Sequence, residues 1–161
     1  QEALAEIREI ISGSLDGGDE LAPHLVRWRE ESATRLEGAG LRLHWSEGDG
    51  TPALTLASRT IYHLTRMIRE AVTNAIRHSG GTQLSITLGI EEGELCLAIE
   101  DDGRGVGPDW CPGRGITGMR HRAREIGARV EISITATGCR IEIGVPLARP
   151  ETASLQGSPS R

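Results

Sequence analysis

The chain has 161 residues and a mass of 17.3 kDa, which is the size of a single domain. Its net charge of −5 and its pI of about 5.6 argue against a basic surface for nucleic acid or for anionic membranes. All 18 basic residues are arginine, which excludes a Walker A lysine, a Schiff base and a protein-kinase strand lysine.

The first predicted elements are two helices and a strand. Residues 1–11 have apolar residues at helical spacing from the first position, so we expect the end of a helix that enters from upstream. Residues 20–37 form a second amphipathic pattern that glycines close. Residues 41–45 alternate as a strand.

The strongest helical pattern covers residues 58–78, and Ser79 and two glycines end it. Strands are predicted at 84–90 and 94–100, joined by a Glu-Gly turn that favours a hairpin.

The last third of the chain begins with a loop at 101–115 that contains five glycines. A helix at 116–126 follows, and then two strands at 130–135 and 139–145 that Pro146 ends. Residues 148–161 are rich in Pro, Ser and Gly without periodicity, which predicts a disordered tail.

This order of elements predicts a two-layer α/β sandwich, in which helices cover one face of a mixed, mainly antiparallel sheet. No stretch approaches 18 consecutive apolar residues, so we expect a soluble piece. The three cysteines are odd in number and lie far apart, which favours a reducing compartment over a disulfide framework.

One candidate site lies on the long helix. Glu70, Asn74 and Arg77 are spaced four and three apart, which predicts one polar stripe opposite the apolar face. An amide oxygen suits Mg²⁺, a guanidinium suits phosphate, and a carboxylate can orient or deprotonate an acceptor. The alternative is a solvated helix face, and His78 near a helix end fits either reading.

A second candidate is the sequence Asp101-Asp102-Gly103-Arg104-Gly105, which directly follows an apolar strand. An acidic residue at a strand end suits the donor edge of a base, and glycines allow close approach to the backbone. The alternative is an Asp-Gly hairpin turn, but the residues that follow do not form a returning strand.

A third candidate is the glycine-rich start of the helix at Gly113–Met119. Backbone amides at a helix start bind phosphate, although many helices begin this way without a ligand. The spacing differs from that of a dinucleotide-binding fold.

Four segments together resemble the ATP-binding domain of bacterial sensor histidine kinases. They read R-E-A-V-T-N-A-I-R-H-S at 69–79, D-D-G-R-G at 101–105, G-R-G-I-T-G-M-R-H-R-A at 113–123 and G-C-R-I-E-I-G-V-P-L at 138–147. This domain is similar to those of gyrase, heat-shock and mismatch-repair ATPases. The sequence at 115–123 resembles the nitrate-sensor branch of histidine kinases. The resemblance implies the end of a dimerisation helix at 1–14, an ATP-binding kinase domain at 15–147 and a tail at 148–161.

The resemblance also implies roles for single residues. Asn74 matches the Mg²⁺ ligand, Glu70 the residue that assists phosphoryl transfer, and Asp101 the acceptor for the adenine amino group. The other residues expected to bind ATP are Arg77, His78, Gly103, Gly105, Gly113, Gly115, Ile116 and Met119. Cys139 stands where the family often has threonine.

The resemblance predicts a protein-histidine kinase fragment that transfers the γ-phosphoryl group of Mg-ATP to a histidine on a separate dimerisation segment. None of the five histidines lies in the acidic His-Asp motif of the family's acceptor. The implied partners are that segment, in a homodimer of the full-length protein, and a response regulator. We expect a cytoplasmic domain that does not contact nucleic acid or the membrane directly. The full-length protein can be anchored in the inner membrane. The alternatives are an anti-sigma-factor-type serine kinase and a non-catalytic nucleotide-binding module.

Overall fold

A computed structural model describes residues 18–104, 113–135 and 137–147 of the chain. The elements in chain order are β1 (Gly18–Glu20), α1 (Leu21–Gly38), β2 (Arg42–Glu47), β3 (Thr55–Ala57), α2 (Ser58–Asn74), β4 (Gln83–Glu91), β5 (Glu94–Asp101), α3 (Arg114–Glu125), β6 (Arg129–Thr135) and β7 (Gly138–Pro146). A short 3₁₀ turn occupies Thr51–Ala53, and a π turn occupies Ala75–Ser79 at the end of α2.

Five strands form the main sheet in the order β2-β4-β5-β7-β6. Strand β2 pairs with β4 in parallel, and every other neighbouring pair in this sheet is antiparallel. The predicted mixed, mainly antiparallel sheet is therefore confirmed. The strands β1 and β3 form a separate antiparallel pair of three residues each, which is too short to show an alternating pattern in the sequence.

The core lies between one face of this sheet and the helices. Alternate residues of β4 and β5 are buried, as the period of two in a strand requires. The apolar stripe predicted on α2 is buried against them, namely Ile61, Leu64, Ile68 and Ala71. Trp28 of α1 is also buried, and its indole N–H donates to Thr65 Oγ1 at 2.8 Å. This packing fixes α2 on the sheet and leaves its opposite stripe for polar groups.

The Glu-Gly hairpin between β4 and β5 is confirmed. Glu92 has a φ of 50° and Gly93 a φ of 82°, and two successive residues with positive φ match the twist of antiparallel strands. The antiparallel register then places Asp101, the last residue of β5, opposite Leu84 near the start of β4.

The predicted extent of the long helix is confirmed, and the predicted start of the next helix is wrong. The long helix continues beyond Asn74 as a π turn over Ala75–Ser79, so it ends one residue after the predicted end at 78. Helix α3 begins at Arg114, two residues before the predicted start at Ile116, because the glycine at 115 fits a first helical turn as well as a loop.

The predicted helix at 1–11, the segment 105–112 with Gly105, and the predicted tail at 148–161 lie outside the described residues. Within the described ranges, no helix is long and apolar enough to cross a membrane.

Candidate functional site

Three separate parts of the chain meet at one end of the helical layer. They are the carboxyl-terminal part of α2, the end of β5 and the first turn of α3. Gly103 lies against the backbone of Ser79, directly after α2. Gly115 of α3 lies against the carboxylate of Glu70. The structure therefore brings the three segments that carry the candidate sites into contact.

Asp101 at the end of β5 is half-buried. Its Oδ1 accepts a hydrogen bond from the backbone N–H of Gly103 at 3.0 Å. Burial raises the pKa of the Asp101 carboxyl, and hydrogen bonds from the amides of Gly103 and Cys139 partly oppose that rise in pKa. A carboxylate has about four acceptor positions, so Asp101 can also accept a bond from a ligand.

Asp102, the next residue, is exposed, and its carboxylate already accepts hydrogen bonds from the protein. Its carboxylate accepts bonds from the amides of Thr82 and Gln83, at 2.7 and 2.8 Å, and from the Thr82 hydroxyl at 2.8 Å. These hydrogen bonds hold the pKa of Asp102 below its usual range. Asp102 thus holds the start of β4, and Asp101 is the aspartate that keeps acceptor positions for a ligand.

Backbone close packing holds the segment after β5 in place. A Cβ at Gly103 would overlap the carbonyl of Ser79, and that carbonyl accepts the Arg104 amide at 2.9 Å. On the other side, Gly138 of β7 has a φ of 144° and approaches the carbonyl of Asp101 so closely that a Cβ there would overlap it. Glycine is therefore required at both positions.

The π turn changes the polar stripe that the sequence predicts on α2. Glu70 and Asn74 stay one α-helical turn apart and share a stripe. A π turn is wider than an α turn and bonds residue i to i+5, so it rotates Arg77 and His78 away from the positions that α-helical spacing gives them. Both side chains are exposed and make no hydrogen bond or ion pair within the described ranges. Arg77 therefore departs from the straight α-helical stripe but stays at the same end of the helix, and its contact with phosphate stays a prediction.

The first turn of α3 offers backbone donors. Gly113 is the N-cap residue, and its carbonyl accepts the Thr117 amide at 3.2 Å. The preceding amides in the first turn have no acceptor within the helix, which makes this end of a 12-residue helix favourable for anions. Ile116 is buried, so its backbone amide rather than its side chain is available. The Met119 side chain is 1% exposed and packs α3 against the core.

A cleft with a volume of about 220 Å³ lies between α2 and α3. Its residues are predominantly polar and are Arg66, Arg69, Glu70, Thr73, Arg114, Gly115, Gly118 and Arg122. A Cβ at Gly115 would overlap the Glu70 carboxylate, so this glycine allows Glu70 to pass between the helices. The arginines of this cleft were not predicted, although Arg114 and Arg122 are two helical turns apart in the sequence and could have indicated a cationic face.

The donor set at Asn74 fits a magnesium ion that arrives with phosphates. The Asn74 side chain is half-buried and has no hydrogen-bond partner within the described ranges. No group of three His, Cys, Asp or Glu side chains that could hold a metal occurs in the part of the chain that the structure describes. Mg²⁺ usually keeps water and phosphate oxygens and takes only one or two protein ligands, so a single amide oxygen is sufficient.

Comparison with known proteins identifies the family. The family of histidine kinase-, DNA gyrase B-, and HSP90-like ATPases matches residues 60–149. The chain is 41% identical over 95 residues to the sensor protein VraS of Staphylococcus epidermidis, covering 57% of this chain and 27% of VraS. It is 39% identical over 93 residues to VraS of Staphylococcus aureus, covering 56% of this chain and 27% of that protein. The chain therefore matches about a quarter of the length of these curated relatives.

Solved structures share the fold. The histidine kinase domain of a blue-light activated histidine kinase from Erythrobacter litoralis superposes with a TM-score of 0.65 at 22% identity, covering 81% of this chain and 68% of that one. The histidine kinase AdeS of Acinetobacter baumannii gives 0.64 at 18% identity, with 83% and 68% covered. Full-length ShkA in complex with AMPPNP gives 0.68 at 16% identity, with 83% and 31% covered.

Proposed function

The chain belongs to the histidine kinase-, DNA gyrase B-, and HSP90-like ATPase family, and from this membership we propose that it is the ATP-binding catalytic domain of a sensor histidine kinase. The observation that carries the proposal is that the segment after β5 packs on the end of α2, at Gly103 and Ser79, while the first turn of α3 packs on Glu70 of the same helix, at Gly115. In the proposal, Asp101 binds the base, Asn74 the metal and the amides that begin α3 the phosphates, and Glu70 meets the acceptor. The relatives named as sensor proteins support the assignment to a kinase.

Asp101 would bind the base. Its half-buried carboxylate would accept a hydrogen bond from the adenine amino group. Gly103 has no side chain and therefore leaves room for the base beside Asp101. Burial, together with the nearby charge of Asp101, raises the pKa of the Cys139 thiol. The thiol therefore stays protonated near neutral pH and lines the pocket as a small neutral group.

The phosphates would lie at the first turn of α3 and the end of α2. The free amides of Gly115 and Ile116 and the guanidinium of Arg77 neutralise phosphate charge. His78 is exposed beside Arg77 and can donate to a phosphate oxygen. Asn74 would hold Mg²⁺, which supplies charge neutralisation on the phosphate oxygens when bound. We assign Gly105 and Gly113 to the loop that surrounds the phosphates on the strength of the sequence motif alone.

Glu70 would act on the acceptor imidazole. In the transfer, a bond forms between an imidazole nitrogen and the γ-phosphorus, the bond from that phosphorus to the bridging oxygen breaks, and ADP leaves with the electron pair. Glu70 orients the acceptor and takes the proton that the imidazole loses. Most of the rate acceleration comes from positioning and charge neutralisation.

The proposal includes the rest of the signalling system. The acceptor histidine lies on a dimerisation segment, the full-length protein is a homodimer, and a response regulator receives the phosphoryl group. The domain would lie in the cytoplasm, where ATP is available. The predicted domain limits of 15–147 and the nitrate-sensor branch stay predictions.

The test is phosphorylation in trans. The 161-residue chain is incubated with radiolabelled ATP, Mg²⁺ and a separately produced dimerisation segment from the same gene. We expect acid-labile label on the segment and none on the chain itself. Glu70→Gln should lower the transfer rate more than it lowers ATP affinity, because its role lies in the transition state. ATP binding without any transfer would favour the non-catalytic module, and alkali-labile, acid-stable label would favour a serine kinase.

A further inference from the structure

The cleft between α2 and α3 contains more positive charge than its own carboxylates balance. Four arginines line it, together with one carboxylate, that of Glu70. Arg69 is already neutralised by a bidentate pair with Glu31, at 2.6 and 2.7 Å. Arg66, Arg114 and Arg122 make no ion pair within the described ranges. This excess is local, because the whole chain carries a net charge of −5.

The wall of the cleft on α2 is held in place by the protein. Arg35 of α1 donates to the Thr73 hydroxyl at 2.7 Å and to the Arg69 carbonyl at 3.3 Å. With the Glu31 pair, these bonds fix Arg69 and Thr73 to the neighbouring helix. The cleft is therefore a formed surface, whose uncompensated guanidinium groups project from α2 and α3.

The position of the cleft indicates what approaches it. Asp101, Asn74 and His78, which we assign to the nucleotide, do not line it, whereas Glu70, which we assign to the acceptor, does. Gly115, whose amide we assign to the phosphates, also lines the cleft, so the cleft adjoins the phosphate end of the nucleotide. The cleft thus lies beside the site on the side from which an acceptor reaches Glu70. Guanidinium forks bind carboxylates in pairs of hydrogen bonds, so the complementary partner surface carries carboxylates.

We propose that this arginine cleft is the docking surface for an acidic segment of the phosphoacceptor partner, with Arg66, Arg114 and Arg122 as the contact residues. The inference rests on the proposed function, since it takes Glu70 as the group that meets the acceptor. The arginines do not take part in the transfer itself. They raise the local concentration of the acceptor and set its orientation.

The first test measures binding of a probe peptide to the 161-residue chain. The probe is a fluorescent helical peptide with glutamates four residues apart, and its counterpart has glutamine at those positions. The cleft variant is Arg66→Glu with Arg122→Glu. The matched control is Arg120→Glu with Arg124→Glu, which changes the net charge equally on exposed residues of α3 outside the cleft. Circular dichroism checks the fold, and Arg66→Gln with Arg122→Gln gives a milder cleft variant.

We expect the cleft variant to weaken binding of the glutamate peptide about tenfold, since each reversal replaces an attraction by a repulsion. The control pair should change it less than about twofold, and the glutamine peptide should bind neither variant nor wild type. Equal losses in both pairs would overturn the proposal, because bulk charge would then explain binding. Displacement of the peptide by inorganic phosphate at the same concentration would also overturn it and assign the cleft to a free anion.

The second test separates this inference from the proposed function. In the trans-phosphorylation reaction, the cleft variant should raise the KM for the dimerisation segment and leave the KM for ATP and the kcat at saturating segment unchanged. A change in kcat alone would contradict a docking role. If wild type transfers no phosphoryl group at all, the proposed function fails, and the peptide measurement still decides whether the cleft binds acidic segments.

Discussion

The end of β5 and the cleft between α2 and α3 are neighbouring regions that differ in the burial and packing of their polar groups. At the end of β5, Asp101 is half-buried and backbone atoms pack closely around it, so that no Cβ fits at Gly103. In the cleft, Arg66 and Arg114 are exposed and form no ion pair with any residue that the structure describes, and Gly118 has open space where a Cβ would be. The comparison shows that one region is specified by shape and desolvation and the other by solvated charge.

The largest expected difference between the two regions comes from adding one methyl group to each. Gly103→Ala should lower the free energy of unfolding by more than about 2 kcal/mol, because the new Cβ overlaps the Ser79 carbonyl and the backbone must move. Gly118→Ala should leave it unchanged or raise it by up to about 1 kcal/mol, since the position is helical and open. Urea denaturation of both variants checks this, and a mild effect of Gly103→Ala would show that the segment after β5 adjusts easily.

The next effect concerns the metal. Asn74→Ala should abolish the enhancement of ATP affinity by Mg²⁺ and leave thermal stability nearly unchanged, because Asn74 has no protein partner within the described ranges and lies outside the core. Titrations with and without EDTA measure the enhancement. In EDTA the variant and wild type should bind ATP equally. If Mg²⁺ still increases the affinity of the variant, another residue holds the ion.

The two adjacent aspartates give a smaller and opposite pair of effects on stability. Asp102→Asn should lower the free energy of unfolding by about 1 kcal/mol, since the hydrogen bonds from Thr82 and Gln83 then lose their charged acceptor. Asp101→Asn should leave stability unchanged or raise it at neutral pH, because the charge that burial penalises is removed.

The pH dependence of stability distinguishes these aspartates further. The raised pKa of Asp101 means that its cost to stability develops as the pH rises from the ordinary aspartate range through the folded-state pKa. The lowered pKa of Asp102 means that its contribution is present above the ordinary range and is lost as the pH falls through the folded-state pKa. Thermal melts of each Asn variant against wild type below neutral pH should therefore show differences of opposite slope. Slopes of the same sign would contradict the assigned environments.

The smallest effect is expected in the cleft. Arg66→Ala should change the free energy of unfolding by no more than about 0.5 kcal/mol, because the side chain is exposed and has no ion-pair partner within the described ranges. Arg69→Ala is the matched comparison, since it breaks the pair with Glu31, and it should cost more. Equal effects in urea denaturation would mean that Arg66 also has a structural role.

The sequence predicted the sheet and the helices because periodicity depends on local spacing. The roles of the site residues came from the resemblance and stay predictions. The sequence did not predict the π turn after Asn74, since its residues continue the α-helical apolar pattern. Only the resemblance singled out Asp101 from Asp102, because the burial of one and the hydrogen bonds of the other arise only when β4 and β5 pair. The arginine cleft was missed because it combines residues from α2 and α3, which are about 50 positions apart in the chain.

The measurement that tests the central claim most directly is calorimetric titration of the 161-residue chain with Mg-ATP and with Mg-GTP. Adenine offers an amino donor where guanine has a carbonyl acceptor, so GTP would leave the half-buried Asp101 carboxylate opposite a second acceptor. An unmet buried acceptor costs about 1–3 kcal/mol, so ATP should bind about 5- to 150-fold more tightly. In Asp101→Asn this preference should be lost or reversed, because an amide can also donate. Equal affinity of wild type for the two nucleotides would contradict the account.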